Sequence, residues 1–303
     1  MTLKAHKLKL GENVTKLKSR PIVSCPGSLL APLSTWVDRK LQPVATIQQS
    51  YFRNSFDLRQ ALLQLQLPPI AHLFTADAVS MYTNIPTNTA INVIDQNLRC
   101  YASSHDSSYP VMAVQSALSL VMRNNVFTFG DMMFKQLNGT AMGTPPAPPY
   151  ATLYYSVYED SFLHQFNKSL LFYKRFIDDV IGIWLCDSDP LTDENQWCAF
   201  QAAMNQGCGL NWEFSNRSHK VDFMDLTISI HTNCIQTTLY EKPMNLYLYI
   251  PPHSAHPPGL LPGIIHGTLF RIFTLCTDDD DKKLRTQTFF RRLLARGYKV
   301  DNL

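Results

Sequence analysis

The stretch LLFYKRFIDDVIGIWL, residues 170–185, decides the fold of this chain. Its adjacent carboxylates, Asp178 and Asp179, separate two runs rich in branched and aromatic residues. The pattern predicts strands at 170–177 and 180–185 that form a hairpin with an acidic tip. Two unit charges about 4 Å apart near a protein surface repel by roughly 4 kcal/mol, so a rigid tip that holds both indicates a cation site. A solvated polar turn is the alternative, because Asp is also a favoured turn residue.

Composition places the chain among globular proteins with a substantial core. At 303 residues, of which 45% are hydrophobic, it is long enough for one large domain or two small ones. There is no run of about 18 apolar residues, and the basic, polar start is not a signal peptide, so no membrane span is predicted. The seven cysteines lie far apart without a CxxC pair. This predicts reduced, mostly buried thiols of an intracellular protein, and neither a disulfide framework nor a zinc site.

Basic residues concentrate at the two ends of the chain. Six lysines and arginines face one glutamate in residues 1–20, and seven more lie between residues 282 and 299, although the net charge is only +3. Two basic ends around an acidic centre suit a protein that grips a phosphate backbone and carries out metal chemistry in the middle. Two solvated basic termini would show the same pattern.

The order of apolar patterns predicts interleaved helices and strands. Helices are expected at 28–50, 54–66, 87–101, 110–123, 150–166, 191–206 and 268–298. Beyond the acidic hairpin, strands are expected at 70–81, 210–214, 221–230 and 235–242, with hairpins at 1–24 and 126–137. Residues 251–267 are rich in Pro, Gly and His and predict an irregular connection. The pattern indicates an α+β fold with a largely antiparallel sheet.

Asp77 is a charged residue inside the apolar strand predicted at 70–81. Such a residue is costly to bury unless it is paired or bound to a metal. If this strand neighbours the acidic hairpin, Asp77 converges with Asp178 and Asp179. Three carboxylates without a nearby His or Cys are hard oxygen ligands, which suit Mg²⁺ or Mn²⁺ and a two-ion phosphoryl-transfer site. A strand-end carboxylate that caps the following turn is the alternative for Asp77.

Several short stretches occur in an order that one known family shares. They are Lys4-Ala-His-Lys7, Arg20-Pro-Ile-Val-Ser24, Asp77-Ala-Val-Ser-Met-Tyr-Thr-Asn-Ile-Pro86, Gly139-Thr-Ala-Met-Gly-Thr144, Phe176-Ile-Asp-Asp179, Val221-Asp-Phe-Met-Asp-Leu-Thr-Ile228, Tyr240-Glu-Lys-Pro243, His256-Pro-Pro258 and Arg296-Gly-Tyr298. The sequence thereby resembles the reverse transcriptase domain of Penelope-like retroelements, a group akin to telomerase reverse transcriptases. The resemblance covers nearly the whole chain.

The resemblance assigns the centre of the site residue by residue. It implies that Asp77 and Asp178 hold two Mg²⁺ or Mn²⁺ ions, with Asp179 as a supporting third carboxylate. It places Tyr82 under the sugar of the incoming nucleotide, where a bulky ring leaves no room for a 2′-hydroxyl. It also implies that the loop from Gly139 to Gly143 approaches the nascent base pair, since glycine adds no side chain there.

The resemblance also assigns the contacts around this centre. Arg20, with Lys4 or Lys7, is expected to grip the triphosphate, because Arg offers a bidentate fork and Lys a point charge. Tyr240 and Lys242 are expected to lie near the primer strand. The basic C-terminal segment is expected to contact backbone phosphates without sequence preference.

The fold that the resemblance implies is a right-hand polymerase. Its expected parts are N-terminally incomplete fingers at 1–66, a palm with inserted fingers helices at 67–245, and a connection with a partial thumb at 246–303. The antiparallel palm sheet carries the acidic hairpin. We expect the GIY-YIG endonuclease module of the family to be missing behind the thumb.

The implied activity is that of a retrotransposon reverse transcriptase. Such an enzyme takes an RNA template, a DNA primer and dNTPs, and its substrate implies a nuclear location. Two other functions stay open. One is a catalytically incomplete retroelement fragment that only binds nucleic acid. The other is a metal-dependent nuclease, which shares the carboxylates but leaves Tyr82 and the fingers lysines unexplained.

Overall fold

A computed structural model describes residues 2–3, 19–20, 27–129, 131–257 and 259–303. The helices are α1 Ala31–Thr46, α2 Ser55–Leu63, α3 Met81–Asn84, α4 Thr87–Ser104, α5 Val111–Arg123, α6 Ala147–Phe162, α7 Pro190–Asn205, α8 Leu260–Leu275 and α9 Asp279–Ala295. The strands are β1 Thr2–Leu3, β2 Ser19–Arg20, β3 Ala71–Ala78, β4 Val126–Phe129, β5 Met132–Lys135, β6 Leu170–Phe176, β7 Asp179–Leu185, β8 Trp212–Phe214, β9 Lys220–Phe223, β10 Leu226–His231 and β11 Cys234–Leu239. Interleaved helices and antiparallel strands confirm the predicted α+β class.

The chain divides into two compact units. The first unit comprises Met1–Phe52 and Thr75–Ser215, and the second comprises Arg53–Phe74 and Asn216–Leu303. Strand β3 crosses from the second unit into the first. The three-part division into fingers, palm and thumb stays a prediction.

The first unit is built on a four-stranded sheet with the order β6-β7-β3-β8. In β7, Val180, Ile181, Ile183 and Trp184 are all fully buried. Because successive side chains of a strand point to opposite faces, β7 is covered on both faces of the sheet. Helices α1 and α4 pack against both α5 and α6 in the same unit, and α7 packs against α6 and β8. The burial of β7 on both faces fixes the position of the β6–β7 hairpin, which the sequence predicted.

The second unit is built on a three-stranded antiparallel sheet with the order β11-β10-β9. Helix α2 packs against β11 and α8, and α8 packs against α9. Phe289 and Leu293 of α9 form a buried hydrophobic cluster with Tyr298, which follows the helix. The Asp278 side chain accepts a hydrogen bond from the Asp281 N–H, so the acidic run begins α9 as expected for a helix N-terminus.

Three predicted elements were wrong in their bounds. The single strand expected at 221–230 is the hairpin β9–β10, because Met224 adopts a left-handed backbone (φ 53°) and starts a turn before Asp225. The single helix expected at 268–298 is the pair α8 and α9, and α8 begins within the connection expected at 251–267. The chain breaks between them at Cys276, whose backbone is extended.

The N-terminal hairpin, the cysteines and the membrane-span expectation can each be compared with the structure. Strands β1 and β2 pair antiparallel, as the N-terminal hairpin requires, but its expected turn lies outside the described residues. The described cysteines are free thiols, of which only Cys208 and Cys276 are buried, so the expectation of mostly buried thiols was wrong. No helix in the described ranges is both long and apolar enough to cross a bilayer.

Candidate active site

The acidic tip consists of one turn carboxylate and one strand carboxylate. Phe176 pairs with Asp179 across the hairpin, so the turn residues are Ile177 and Asp178. Asp179 is the first residue of β7, which corrects the expectation that both carboxylates form the tip. Ile177 has φ 57°, a left-handed backbone that β-branched residues rarely adopt. The turn therefore depends on contacts that hold it in this conformation.

Asp77 lies on the strand next to this turn. It is the penultimate residue of β3, where it pairs with Glu213 of β8, and β3 is the sheet neighbour of β7. The backbone N–H of Ala78 donates a 2.9 Å hydrogen bond to the carbonyl oxygen of Asp178. This bond joins the residue after Asp77 to Asp178 at one end of the sheet, as expected if β3 neighbours the hairpin.

Tyr82 lies close to Asp178 as well. The chain leaves β3 through Ser80, which has a left-handed backbone (φ 52°), and enters α3, where Tyr82 is half-buried. Burial, and to a smaller extent the negative charge of Asp178, raise the pKa of Tyr82 to about 12. The phenol is therefore neutral at physiological pH.

The glycine loop contacts the backbone that carries Tyr82. Gly139 has φ 74°, and a β-carbon built on it would lie 2.2 Å from the Tyr82 carbonyl oxygen and 2.7 Å from the Thr83 Cα. The Thr140 N–H donates to the same Tyr82 oxygen at 2.6 Å, and the Gly139 N–H donates to Ile85 at 3.0 Å. Glycine is thus needed for this backbone contact. Its expected approach to a base pair stays a prediction, as does that of Gly143, which has φ 113°.

Of the residues expected to grip the triphosphate, Arg20 alone falls within the described residues. Lys4 and Lys7 lie outside the described residues. Arg20 lies in β2, where its backbone pairs with Thr2. Their contact with a triphosphate stays a prediction.

The residues expected to contact the primer lie in the second unit. Tyr240, half-buried, and Lys242, exposed, directly follow β11. Both line a cavity of about 500 Å³, and Arg271 and Arg292 line the same cavity. The Arg292 guanidinium makes a bidentate ion pair with Glu241, with distances of 2.7 and 2.8 Å. The contact of Tyr240 and Lys242 with a primer stays a prediction.

The donor set at the hairpin fits Mg²⁺ or Mn²⁺. Within the described ranges, no group of three or more His, Cys, Asp or Glu side chains is arranged to hold a metal ion. The three expected carboxylates therefore do not form one such group. Asp77 near the end of β3 and Asp178 in the hairpin turn carry hard oxygen donors, and a magnesium site commonly takes one or two carboxylates from the protein. A sparse site of that kind at these two residues stays a prediction.

Sequence reasoning missed a buried ion pair behind the hairpin. The Arg175 guanidinium and the Glu159 carboxylate are 0% and 2% exposed, and their nearest atoms are 2.6 Å apart. Burial, the largest single effect, lowers the pKa of Arg175, but the charge and hydrogen bonds of Glu159, together with Tyr173 and Tyr155, more than offset it and raise the pKa above its ordinary value. A charge next to apolar residues is a signal because it needs a partner when it is buried, but Arg175 follows Lys174 and Glu159 precedes Asp160, so the sequence does not show which charge of each pair is buried.

Comparison with known proteins shows the fold. No family model and no curated protein match the sequence. The structure is similar to telomerase from Candida albicans in complex with the TWJ fragment of telomeric RNA, with a TM-score of 0.60, 14% identity, and coverage of 88% of this chain and 47% of that one. The chain has the fold of a right-hand nucleic-acid polymerase.

Two further structures share this fold. Telomerase from Candida tropicalis in complex with the same RNA fragment matches with a TM-score of 0.51 and 12% identity, over 88% of this chain and 46% of that one. The BmCPV RNA-dependent RNA polymerase at its elongation state matches with a TM-score of 0.52 and 11% identity, over 88% and 24%. The chain therefore spans less than half the length of each of these proteins. The predicted right-hand polymerase fold with an antiparallel palm sheet is confirmed.

Proposed function

We propose that the chain is an RNA-directed DNA polymerase of a Penelope-like retrotransposon. The observation that carries this proposal is the Ala78–Asp178 hydrogen bond, which joins the end of strand β3, where Asp77 lies, to the hairpin turn that bears Asp178. A right-hand polymerase fold with an acidic strand end and an acidic turn so joined is suited to nucleotidyl transfer. The order of the sequence motifs supports a retroelement source, and with it a location in the nucleus.

The reaction is the transfer of a nucleotide to a primer end. The primer 3′-hydroxyl oxygen forms a bond to the α-phosphorus of a dNTP, the bond from that phosphorus to the bridging oxygen breaks, and pyrophosphate leaves. The hydroxyl proton passes to solvent or a nearby base. Mg²⁺ or Mn²⁺ held by Asp77 and Asp178 would neutralise charge on the phosphate oxygens, with Asp179 in support.

Tyr82 supports deoxynucleotides as the substrate class. Its ring is half-buried next to Asp178, and the Gly139 loop contacts its backbone, so its position is restricted. A ring held beneath the sugar would exclude a 2′-hydroxyl. The expected roles of Arg20, Lys4 and Lys7 at the triphosphate, and of Tyr240 and Lys242 at the primer, belong to the same proposal.

Primer extension tests this proposal. The purified chain is given a DNA primer annealed to an RNA template, dNTPs, and Mg²⁺ or Mn²⁺. The matched pair of variants is Asp178→Asn and Asp131→Asn, because Asp131 is an exposed aspartate in the turn of another hairpin, β4–β5. Extension by wild type and Asp131→Asn, but not by Asp178→Asn, supports the polymerase.

The other outcomes separate the two remaining functions. Salt-sensitive binding of the duplex without extension by either metal indicates a catalytically incomplete fragment that only binds nucleic acid. Metal-dependent shortening of the primer or the template, lost in Asp178→Asn, indicates a nuclease. Either outcome overturns the proposal.

A further inference from the structure

The buried ion pair behind the hairpin is fully hydrogen-bonded on the carboxylate side. Arg175 Nε donates to Glu159 Oε1 at 2.6 Å and Arg175 Nη2 donates to Glu159 Oε2 at 2.8 Å. The Ser50 hydroxyl donates to the same carboxylate at 2.6 Å, and the Tyr173 hydroxyl donates to it at 2.8 Å. Four donors thus fix Glu159 on α6, and Glu159 in turn orients the guanidinium.

The remaining donors of Arg175 contact backbone. Nη2 also donates to the Thr152 carbonyl oxygen on α6 at 3.0 Å, and Nη1 donates to the Ile177 carbonyl oxygen at 2.9 Å. The Arg175 backbone N–H donates to Ser50 at 2.8 Å. The side chain of Arg175, a residue of β6, therefore links helix α6 to the turn formed by Ile177 and Asp178.

The bond to Ile177 acts directly on Asp178. The carbonyl of Ile177 and the N–H of Asp178 belong to one planar peptide unit, so a donor that fixes the carbonyl also fixes the orientation of Asp178. Ile177 has a left-handed backbone, which its branched side chain disfavours. Arg175 supplies a fixed contact that this conformation needs.

We propose that Arg175 is a positioning residue: its guanidinium, oriented by Glu159, fixes the Ile177–Asp178 peptide and thereby places the Asp178 carboxylate. The part of this inference that concerns catalysis rests on the proposed polymerase function, whereas the part that concerns the turn does not. Only arginine carries donors in a fork that reaches Glu159, Thr152 and Ile177 together, since lysine is a single point donor.

The first measurement is hydrogen exchange of the hairpin, which needs no activity. Arg175→Lys keeps the charge beside Glu159 but loses the fork, and Arg99→Lys makes the same change at an exposed pair with Asp95. We expect exchange of the peptide that covers residues 170–185 to rise about tenfold in Arg175→Lys, because a hydrogen bond from a charged donor is lost. Arg99→Lys should exchange as wild type does. Unchanged exchange in Arg175→Lys overturns the inference.

The second measurement separates positioning from general stability. In primer extension, Arg175→Lys should lower kcat while the dNTP KM and the Kd for the duplex stay at their wild-type values. The double variant Arg175→Met with Glu159→Met replaces the pair by apolar side chains, which commonly preserves the stability of a buried site. It should lose kcat as well, even at temperatures where it is folded. Full kcat in a folded double variant overturns the inference.

The two proposals fail in different ways. If wild type extends no primer, the polymerase proposal fails, and the exchange measurement alone decides whether Arg175 holds the turn. If wild type extends primers but Arg175→Lys has wild-type exchange and kcat, the polymerase proposal stands and the positioning role fails.

Discussion

Replacing Gly139 by alanine should destabilise the first unit through one backbone contact. Gly139 has φ 74°, where the β-carbon of an L-residue costs about 1–2 kcal/mol. That β-carbon would also lie 2.2 Å from the Tyr82 carbonyl oxygen, well inside contact distance, and 2.7 Å from the Thr83 Cα. These neighbours are backbone atoms that cannot rotate away, so the loop and α3 must separate by most of an ångström.

The magnitude follows from two terms. Forcing an extra carbon into a packed site typically costs about 1–3 kcal/mol. Added to the left-handed strain, this gives a loss of about 2–5 kcal/mol in the free energy of unfolding. The same displacement would weaken the 2.6 Å hydrogen bond from the Thr140 N–H to Tyr82. We therefore also expect Gly139→Ala to relax the discrimination of the enzyme against ribonucleotides.

Gly207→Ala is the matched control. Gly207 has φ 75°, nearly that of Gly139, but a β-carbon there would meet only the Tyr158 ring edge at 4.0 Å. Its cost should be the left-handed strain alone, about 1–2 kcal/mol. Urea unfolding followed by tryptophan fluorescence measures both variants, because all four tryptophans lie in the first unit. Equal losses in Gly139→Ala and Gly207→Ala would refute the contact between the loop and Tyr82.

The remaining predictions concern the charges of the site. Asp178→Asn should abolish primer extension and leave the melting temperature within a few degrees of the Asp131→Asn control; loss of the fold would contradict the assignment of Asp178 to a turn. The raised pKa of Tyr82 means that its protonated form stabilises the fold below the unfolded pKa of about 10, and that this contribution is lost as pH rises towards about 12. Ultraviolet titration against Tyr82→Phe should show this pKa, and Asp178→Asn should lower it without returning it to 10, since burial is the larger cause. Arg175→Met alone should cost about 3–5 kcal/mol in urea unfolding, because it leaves Glu159 buried without its charge partner; a loss below 1 kcal/mol would contradict the pair. Duplex binding should weaken steeply with salt if the basic ends contact phosphates, and a flat response would contradict that contact.

The sheet and its hairpin were predictable from local pattern. Runs of branched and aromatic residues around two carboxylates predicted β6 and β7. The expected convergence of Asp77 with the hairpin depended on their strands being neighbours, and the sheet order places β3 next to β7. These predictions succeed because a strand can be recognised from the pattern of a few consecutive residues. The hairpin β9–β10 was missed because a local pattern does not show a turn that the rest of the fold imposes. Its turn at Met224 has no glycine or proline to interrupt the apolar pattern, and the left-handed backbone there is held by the fold.

The role of Gly139 shows a second limit of local pattern. The sequence predicted a permissive loop, and the glycine does have a positive φ. What the glycine admits, however, is the backbone of Tyr82, more than fifty positions earlier in the chain. A glycine in a sequence indicates that another group can lie close to its backbone, but only the fold determines which group that is.

The buried Arg175–Glu159 ion pair shows the same limit of local pattern next to the predicted active site. A buried arginine requires a buried acceptor, but Lys174 and Arg175 are adjacent in the sequence, and only the fold shows that Arg175 is the buried one. Two carboxylates, Glu159 and Asp193, are buried in the first unit, and Asp193 instead accepts a hydrogen bond from the Trp184 indole at 3.0 Å. Only the packing of α6 against β6 selects Glu159 for Arg175, and the remaining fork atom is thereby aimed at the Ile177 carbonyl. Placement of Asp178 thus depends on Glu159, which lies outside the sequence motifs. Variants of Glu159 should therefore disturb the turn although they change no residue of the predicted site.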